Sequence, residues 1–220
     1  MFWTLFGLRY RGAVERAPMA WGDAKARRRD ILRSASRLLE SSGYAGLTVR
    51  AIAVGAGVSS GTVYQYFDGK EDVFVALMAA RLEDVRATLD EFDRTEGIGG
   101  LLAAILPQVR EIWRLFGRSA QQRGSKVLAG GRRGKRAVTS ATVFRRMARS
   151  LDRALRETAE AAGQTLVDHP AMPYWVWDSL IGVADDLVHG GSLQARVSAD
   201  RLVAFATGAI ERGIVVSAPA

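Results

Sequence analysis

Apolar residues recur at helical spacing along almost the whole chain after residue 23. The first helix is predicted to begin at Asp23, which can act as its N-cap, and to end at Gly43, which suits a C-terminal cap. The spacing places the following residues on one face of that helix: Ile31, Leu32, Ala35, Leu38 and Leu39. No segment alternates apolar and polar residues as a strand does, so the chain is predicted to be all-α.

Two short helices are predicted next, joined by a sharp turn. Thr48 can cap the first and Ser59 the second, because each side-chain oxygen can accept a backbone hydrogen bond in the first turn. Gly57 lies between them and can adopt the left-handed conformation that such a turn needs. The second short helix is predicted over residues 60–66. With the first helix as support, this arrangement is a helix-turn-helix.

The rest of the chain is predicted to form a bundle of helices. Asp68 and Glu71 have the spacing of a capping box for a fourth helix, which would run to about Asp93. Pro107 is expected to kink the helix after it. Five further helices are predicted at about 97–117, 119–129, 137–162, 171–189 and 199–215. The expected fold is therefore an N-terminal three-helix domain followed by a C-terminal helical bundle, with about nine helices in all.

The chain is basic. Its 220 residues carry a net charge of +8, which favours an anionic partner such as nucleic acid or a lipid surface. A hydrophobic content of 48% with 25% charged residues is ordinary for a globular protein and argues against disorder of the whole chain. The absence of cysteine excludes disulfides and thiolate metal sites. It also suits a reducing cytoplasm, where we expect the protein to act.

An apolar run, Phe2–Leu8, lies within an N-terminal extension formed by residues 1–22. The run is too short to span a membrane, and its basic residues follow it, the reverse of their order in a signal peptide. No membrane association is therefore expected. The extension is interpreted as a flexible tail, or as an over-extended translation start with Met19 as the true one. The alternative is an accessory arm whose aromatic residues pack locally and whose arginines contact phosphate.

Two glycine-rich stretches are similar to nucleotide-binding loops but lack residues that those loops require. Gly55, Gly57 and Gly61 are one residue away from the dinucleotide fingerprint, and no strand precedes them. Residues 129–136, "AGGRRGKR", have alanine and arginine where a P-loop needs glycine and a hydroxyl residue. The basic segment 123–136 is interpreted as a solvated loop, with a contact to DNA or to an acidic ligand as the alternative.

Catalytic and metal-binding groups are sparse in the sequence. His169 and His189 are far apart, and no metalloprotease or serine-hydrolase motif occurs. Asp178, Asp185 and Asp186 share one predicted helix and are interpreted as solvated or paired with arginine. We therefore predict no enzyme activity, no catalytic residue, no cofactor and no metal site.

The residue types of the helix-turn-helix suit contact with DNA. The second short helix of such a unit enters the major groove, where its N-terminal residues meet base edges. Gly61 lets the backbone come close to DNA, while Tyr64 and Gln65 can reach outward. Phosphate is expected near Thr48 and Lys70, which offer a hydroxyl and an ammonium group. Short hydroxyl donors are supplied by Ser59, Ser60 and Thr62.

Residues 27–74, "RRRDILRSASRLLESSGYAGLTVRAIAVGAGVSSGTVYQYFDGKEDVF", contain many positions that match a known family of DNA-binding domains. The positions that match are Ile31-Leu32, Gly43, Leu47-Thr48, Ile52-Ala53, Ala56-Gly57-Val58-Ser59, Gly61-Thr62, Tyr64, Tyr66-Phe67 and Lys70-Glu71. On these residues the stretch resembles the DNA-binding domain of the TetR (tetracycline repressor) family of transcriptional regulators. The resemblance is specific but covers less than a quarter of the chain.

The resemblance implies a homodimer that binds a palindromic operator in double-stranded DNA. Positions that contact phosphate in the family fall on Thr48, Ser59, Tyr64, Tyr66 and Lys70. Positions that read bases fall on Arg50, Ser60, Gly61 and Gln65. At residue 55 the family commonly has a long polar side chain, so the glycine of this chain weakens the helix slightly and removes one contact.

The resemblance also implies a ligand-binding and dimerisation domain over residues 69–216, after the extension at 1–22 and the DNA-binding domain at 23–68. Candidate lining residues for a small-molecule pocket are Trp113, Phe116, Phe144, Met147, Trp175 and Asp178. Because aromatic residues at helical spacing are also ordinary core, core packing is the alternative. The expected ligand is a small hydrophobic or aromatic molecule.

The last two predicted helices carry apolar faces that suit dimerisation. These faces comprise Val176, Leu180, Val183 and Leu187 on the first helix, and Leu202, Phe205, Ala206, Ala209 and Ile210 on the second. One subunit has too few helices to cover both faces, so we expect them to pack against a partner subunit as a four-helix bundle.

The leading hypothesis is therefore a ligand-responsive repressor that releases its operator when a small apolar or aromatic molecule binds. A DNA-binding regulator of the same fold without a small-molecule ligand is the second hypothesis. The third is a helical enzyme or a lipid-binding protein.

Overall fold

The computed structural model describes residues 21–117, 140–191 and 196–216, and within these ranges it contains no β-strand. The prediction of an all-α fold is confirmed. The helices are α1 (Trp21–Gly46), α2 (Val49–Gly55), α3 (Ser60–Tyr66), α4 (Lys70–Glu91), α5 (Gly97–Ile112), α6 (Ser140–Ala161), α7 (Met172–His189) and α8 (Ala199–Ile214). A 3-10 turn, Arg94–Glu96, precedes α5, and a π-helical turn, Trp113–Gly117, continues it.

Several predicted helix ends differ from those of the structure. Asp23 lies inside α1 instead of at its N-cap, since the helix already includes Trp21. Gly43 does interrupt α1, with a φ of 62°, but one further turn follows it. The predicted helix at 119–129 and the beginning of the one at 137–162 lie outside the described residues.

The capping box predicted for α4 is wrong. Gly69 is the N-cap residue of this helix, and it offers no side-chain cap. The carboxylate that closes the turn belongs to Asp72, whose Oδ2 accepts a hydrogen bond from the backbone N–H of Asp68 at 3.2 Å. The spacing from Asp68 to Glu71 therefore predicted where α4 begins, but it predicted the wrong N-cap residue and the wrong carboxylate.

Helix α5 lies at the centre of the bundle, where it packs against α4, α6, α7 and α8. Each large apolar side chain buried there contributes about 1.5–3 kcal/mol to stability. Pro107 lies within α5 and is exposed. The buried residues of α5 are Ile98, Leu101, Leu102, Ile105, Leu106, Val109 and Ile112.

A ladder of polar contacts joins α4 and the turn after it to α6. The pairs are Glu83 with Arg146 at 3.4 Å, Asp90 with Arg153 at 2.5 Å, and Arg94 with Glu157 at 2.8 Å. The partners in all three pairs are 63 positions apart, so the two helices run parallel and in a fixed register. Exposed pairs contribute at most about 1 kcal/mol each, so the ladder specifies register more than it stabilises the fold.

The apolar faces predicted for dimerisation are only partly exposed. Val176, Leu180 and Ile210 are buried within the subunit, where they join the common core, so this part of the prediction is wrong. Phe205, by contrast, has 70% of its surface exposed. None of the helices in the described ranges is both long and apolar enough to cross a bilayer.

Candidate nucleic-acid interface

Both short helices begin at the predicted caps. The Oγ1 of Thr48 accepts a hydrogen bond from the backbone N–H of Ala51 at 3.1 Å, which starts α2. The Oγ of Ser59 accepts one from the backbone N–H of Thr62 at 3.0 Å, which starts α3. These bonds satisfy backbone donors that have no partner inside the helix, and they fix where each helix begins.

Gly57 makes the turn between α2 and α3, as predicted. Its φ of 65° lies in the left-handed region that glycine adopts without steric cost. Its backbone N–H donates to the carbonyl of Val54 at 3.1 Å, and the N–H of Val58 donates to the carbonyl of Ala53 at 3.0 Å. The turn therefore closes the end of α2 and sets the direction of α3.

Helix α1 holds α2 through a close backbone approach at Gly55. The Oγ of Ser34 donates to the carbonyl of Ile52 at 2.9 Å, and Arg37 donates to the carbonyl of Gly55 at 3.3 Å. A Cβ built at Gly55 would lie 2.4 Å from the Oγ of Ser34. The glycine that departs from the family pattern thus makes room for a hydroxyl of α1.

Helix α3 turns one apolar side chain inward and a polar surface outward. Val63 is fully buried, and it anchors the helix to the core of the three-helix unit. Thr62 is half-buried, and its hydroxyl lies 3.0 Å from that of Ser59. The exposed residues are Ser60, Gly61, Tyr64 and Gln65. The structure therefore brings the predicted base-reading residues of α3 to one solvent-facing surface.

The remaining predicted contact residues flank that surface. Thr48 and Arg50 are exposed at the start of α2, while Tyr66 is half-buried. The ammonium group of Lys70, at the start of α4, lies 4.6 Å from the centre of the Tyr44 ring. This cation–π contact holds the charge near the end of α3.

The charge of this region favours an anion. The segment from Ser41 to Phe67, which contains α2, the turn and α3, has no acidic residue. Arg27, Arg28 and Arg29 are exposed on α1. Exposed cations beside a segment without carboxylates attract the phosphate backbone of nucleic acid.

Four of the predicted pocket residues lie in or against the common core. Phe116 and Met147 are buried, and Phe144 is partly buried against the same cluster. Phe116 packs edge-on against Phe74, with ring centres 5.0 Å apart. Trp113 is half-buried and donates through Nε1 to the Oδ1 of a carboxylate in α7 at 2.6 Å.

The other two predicted pocket residues are not brought to the same place. Trp175 is 49% exposed, and its ring lies 3.1 Å from where a Cβ of Gly213 in α8 would be. Asp178 is exposed on α7. Both residues lie on the outer side of the α7–α8 pair. The membership of these six residues in a single pocket stays a prediction.

Sequence reasoning missed a small polar network at the end of α5. The carboxylate that Trp113 contacts belongs to Asp185, whose Oδ1 also lies 2.8 Å from Nδ1 of His189. The spacing of Asp185 and His189 by four residues within one helix was the available signal. Nothing in the sequence indicates the contact between Asp185 and Trp113, because the two residues are 72 positions apart.

The three-helix unit therefore defines a class of protein. Two capped short helices meet at a left-handed turn, and the second, which contains no acidic residue, exposes hydroxyl, amide and phenol groups. Such a unit is the DNA-binding element of helix-turn-helix regulators.

Comparison with known proteins finds a family whose members the three-helix unit resembles. The family model for bacterial regulatory proteins of the tetR family matches residues 31–77. Over this segment, which holds most of the three-helix unit and the beginning of α4, the chain is similar to the DNA-binding regulators of that family.

Two curated relatives are named as transcriptional repressors. AcnR of Corynebacterium diphtheriae is 41% identical over 64 residues, which are 28% of this chain and 34% of that protein. KstR2 of Mycobacterium tuberculosis is 33% identical over 85 residues, which are 35% of this chain and 42% of that protein. The chain thus matches less than half the length of these relatives.

Solved structures share the fold over most of the chain. A transcriptional regulator from Rhodococcus sp. Rha1 aligns with a TM-score of 0.60 at 18% identity, over 87% of this chain and 99% of that one. The fatty acid degradation regulator FadR of Bacillus halodurans aligns with a TM-score of 0.55 at 18% identity, over 84% and 94%.

Proposed function

We propose that the protein is a cytoplasmic transcriptional repressor that binds a palindromic DNA operator as a homodimer. The observation that carries the proposal is the outward surface of α3, where Ser60, Gly61, Tyr64 and Gln65 are exposed together. This surface has the width of one helix, which the major groove of B-DNA admits. The caps and the turn hold it rigidly on the subunit core.

The contact residues divide into two groups by chemistry. Thr48, Tyr64 and Lys70 offer hydroxyl and ammonium donors that contact phosphate and position the protein on the duplex. Arg50 offers paired donors, which match the edge of guanine. Gln65 offers a donor and an acceptor, which match the edge of adenine. The first group would supply affinity for any DNA, and the second would select a sequence.

Lys70→Ala and Gln65→Ala test this division. Lys70→Ala should weaken binding to selected and random duplexes alike, and should reduce the slope of log affinity against log salt by about one unit. Gln65→Ala should weaken binding to the selected duplex by about 1–3 kcal/mol and leave random DNA nearly unchanged. Fluorescence anisotropy over a range of salt concentrations measures both. An equal loss on both duplexes for Gln65→Ala would contradict its role in base reading.

We propose that the dimer forms through the outer side of α7 and α8. Phe205 and Trp175 are large exposed apolar side chains on these two helices. A Cβ at Gly182 of α7 would meet nothing within 4 Å, so a partner helix could approach closely there. Exposed apolar surface of this kind marks an interface, and a two-fold axis would pair each patch with its own copy.

We further propose that a small apolar or aromatic molecule binds near Trp113 and Phe116 and releases the operator. Support comes from a chain of aromatic contacts that leads from this region to the DNA-binding unit. Phe116 packs against Phe74, which packs edge-on against Tyr44 at 4.8 Å, and the ring of Tyr44 holds Lys70. A ligand that moved Phe116 would thereby act on a predicted phosphate contact.

Linkage supplies the test of this ligand response. A compound found by thermal-shift screening should bind more weakly to the operator complex than to the free protein. The operator should lose affinity by the same factor when the compound is present. Isothermal titration in both orders measures the two factors. Equal affinity for the free and DNA-bound protein would exclude the compound as an inducer, and would favour a regulator of this fold without a small-molecule ligand.

A further inference from the structure

A cleft of about 760 Å³ separates the DNA-binding unit from the bundle. One wall comes from α1 and from the end of α3, including Leu32, Tyr64 and Gln65. The opposite wall comes from α4 and from the beginning of α6, including Val143. The cleft lies apart from the predicted pocket residues, none of which lines it. Its volume is in the range of cavities that enclose a small ligand or a short peptide.

The floor of the cleft is apolar and made of small side chains. Four residues of α4 form it, and they repeat at helical spacing: Val75, Ala76, Ala79 and Ala80. Ala80 is exposed, and the other three are half-buried, so this stripe of α4 is only partly covered by the described residues. Small residues on one surface leave room for large side chains from another. The floor therefore suits an occupant with aromatic or long aliphatic residues.

The rim of the cleft is acidic in an otherwise basic protein. Three carboxylates line it, against two guanidinium groups. Both guanidinium groups already contact protein groups, since Arg28 lies over the Phe67 ring at 5.1 Å and Arg146 pairs with Glu83 at 3.4 Å. Glu83, the partner of Arg146, supplies one of the three carboxylates, and Asp68 and Asp72 supply the other two. This balance favours an occupant that carries positive charge.

The chain itself contains a segment of this composition. Residues 1–20 have the apolar run Phe2–Leu8, followed by Arg9, Arg11 and Arg16 against the single acidic residue Glu15. The segment joins α1 at Trp21, seven residues before Arg28 of the cleft wall. Seven helical residues span about 10 Å. Twenty residues can reach about 60 Å, so the segment is long enough to enter the cleft.

We propose that residues 1–20 bind back into this cleft as an N-terminal arm. The aromatic side chains of Phe2–Leu8 pack on the alanine floor of α4, and the arginines after them face Asp68 and Asp72. Because Tyr64 and Gln65 line the same cleft, the arm supports the end of α3. An effect of the arm on DNA binding would rest on the proposed function, whereas its binding in the cleft does not.

Thiol reactivity tests the proposal without DNA. The chain has no cysteine, so a single introduced cysteine reports one position. Ala80→Cys places the thiol in the cleft, and Ala87→Cys places a matched control two turns further along α4, exposed and outside the cleft. Each is combined with the native arm and with an arm in which Phe2, Trp3, Leu5 and Phe6 are replaced by serine. The measured quantity is the rate of modification by a maleimide.

The thiol at position 80 should react about tenfold more slowly with the native arm than with the serine arm, because a bound arm must open before the reagent can enter. The thiol at position 87 should react equally in both. Arg9→Glu with Arg11→Glu should also raise the rate at position 80. Equal rates at position 80 with both arms would overturn the proposal, whether the thiol is free or covered by something else. Protection that grows with protein concentration would also overturn it, since that behaviour indicates a second copy as the occupant.

Discussion

Phe205→Arg is expected to convert the protein to monomers and to lower its affinity for the operator by about 10²–10⁴-fold. The side chain is 70% exposed on α8 and contributes nothing to the subunit core, so the substitution should leave the subunit folded. In the proposed dimer it would place a cation against its own symmetry mate. Monomers must then bind the two half-sites separately, which removes the gain from simultaneous binding.

Ala204→Arg is the matched control for this prediction. Ala204 is also exposed on α8, one residue earlier, and about 100° around the helix on the flank away from Ala206 and Ala209. This variant should remain dimeric and bind the operator like the wild type. Light scattering at micromolar concentration gives the mass of each. A monomeric wild type, or a dimeric Phe205→Arg variant, would exclude the proposed interface.

Gly61→Leu is expected to stabilise the protein and to abolish most of its DNA binding. A Cβ at this position would meet only the Oγ of Ser59 at 3.6 Å, an ordinary contact, so the fold accepts a side chain. Leucine is favoured over glycine inside a helix by about 0.8 kcal/mol, which should raise the free energy of unfolding. The added side chain would keep α3 out of the groove. Loss of several base contacts, worth about 1–3 kcal/mol each, predicts a decrease on the order of 100-fold or more.

Ala87→Leu is the control for Gly61→Leu. It adds a leucine side chain to another exposed helical position, far along α4 from the recognition surface. DNA affinity should be unchanged in this variant. If Gly61→Leu bound DNA as well as the wild type, α3 would not be the element that enters the groove.

Local features of the chain could be predicted from the sequence. Thr48, Ser59 and Gly57 each act within a few residues of their own position, so their roles follow from residue type and spacing. The buried position of Val63 and the exposed positions of the residues around it follow from helical periodicity. The helix-turn-helix and its outward surface were therefore predictable.

Features that depend on distant packing could not be predicted. Val176, Leu180 and Ile210 belong to helices that are apolar on more than one side, and the sequence does not say which side faces the subunit core. Trp175 likewise lies on the outer side of the α7–α8 pair, against Gly213. The reason for a glycine at position 55 is visible only from the position of Ser34 on α1, which lies 21 residues earlier in the chain. Such contacts are set by how helices dock, which periodicity leaves undetermined.

The central claim is that this protein recognises a specific DNA sequence through the exposed face of α3. The most direct measurement is selection from a random library of DNA duplexes with the full-length wild-type chain, followed by titration of the enriched duplex with wild type and Gly61→Leu. We predict enrichment of a two-fold symmetric sequence, with tight binding by the wild type and a loss on the order of 100-fold for Gly61→Leu. Failure to enrich any sequence, or equal binding by the two proteins, would contradict the claim.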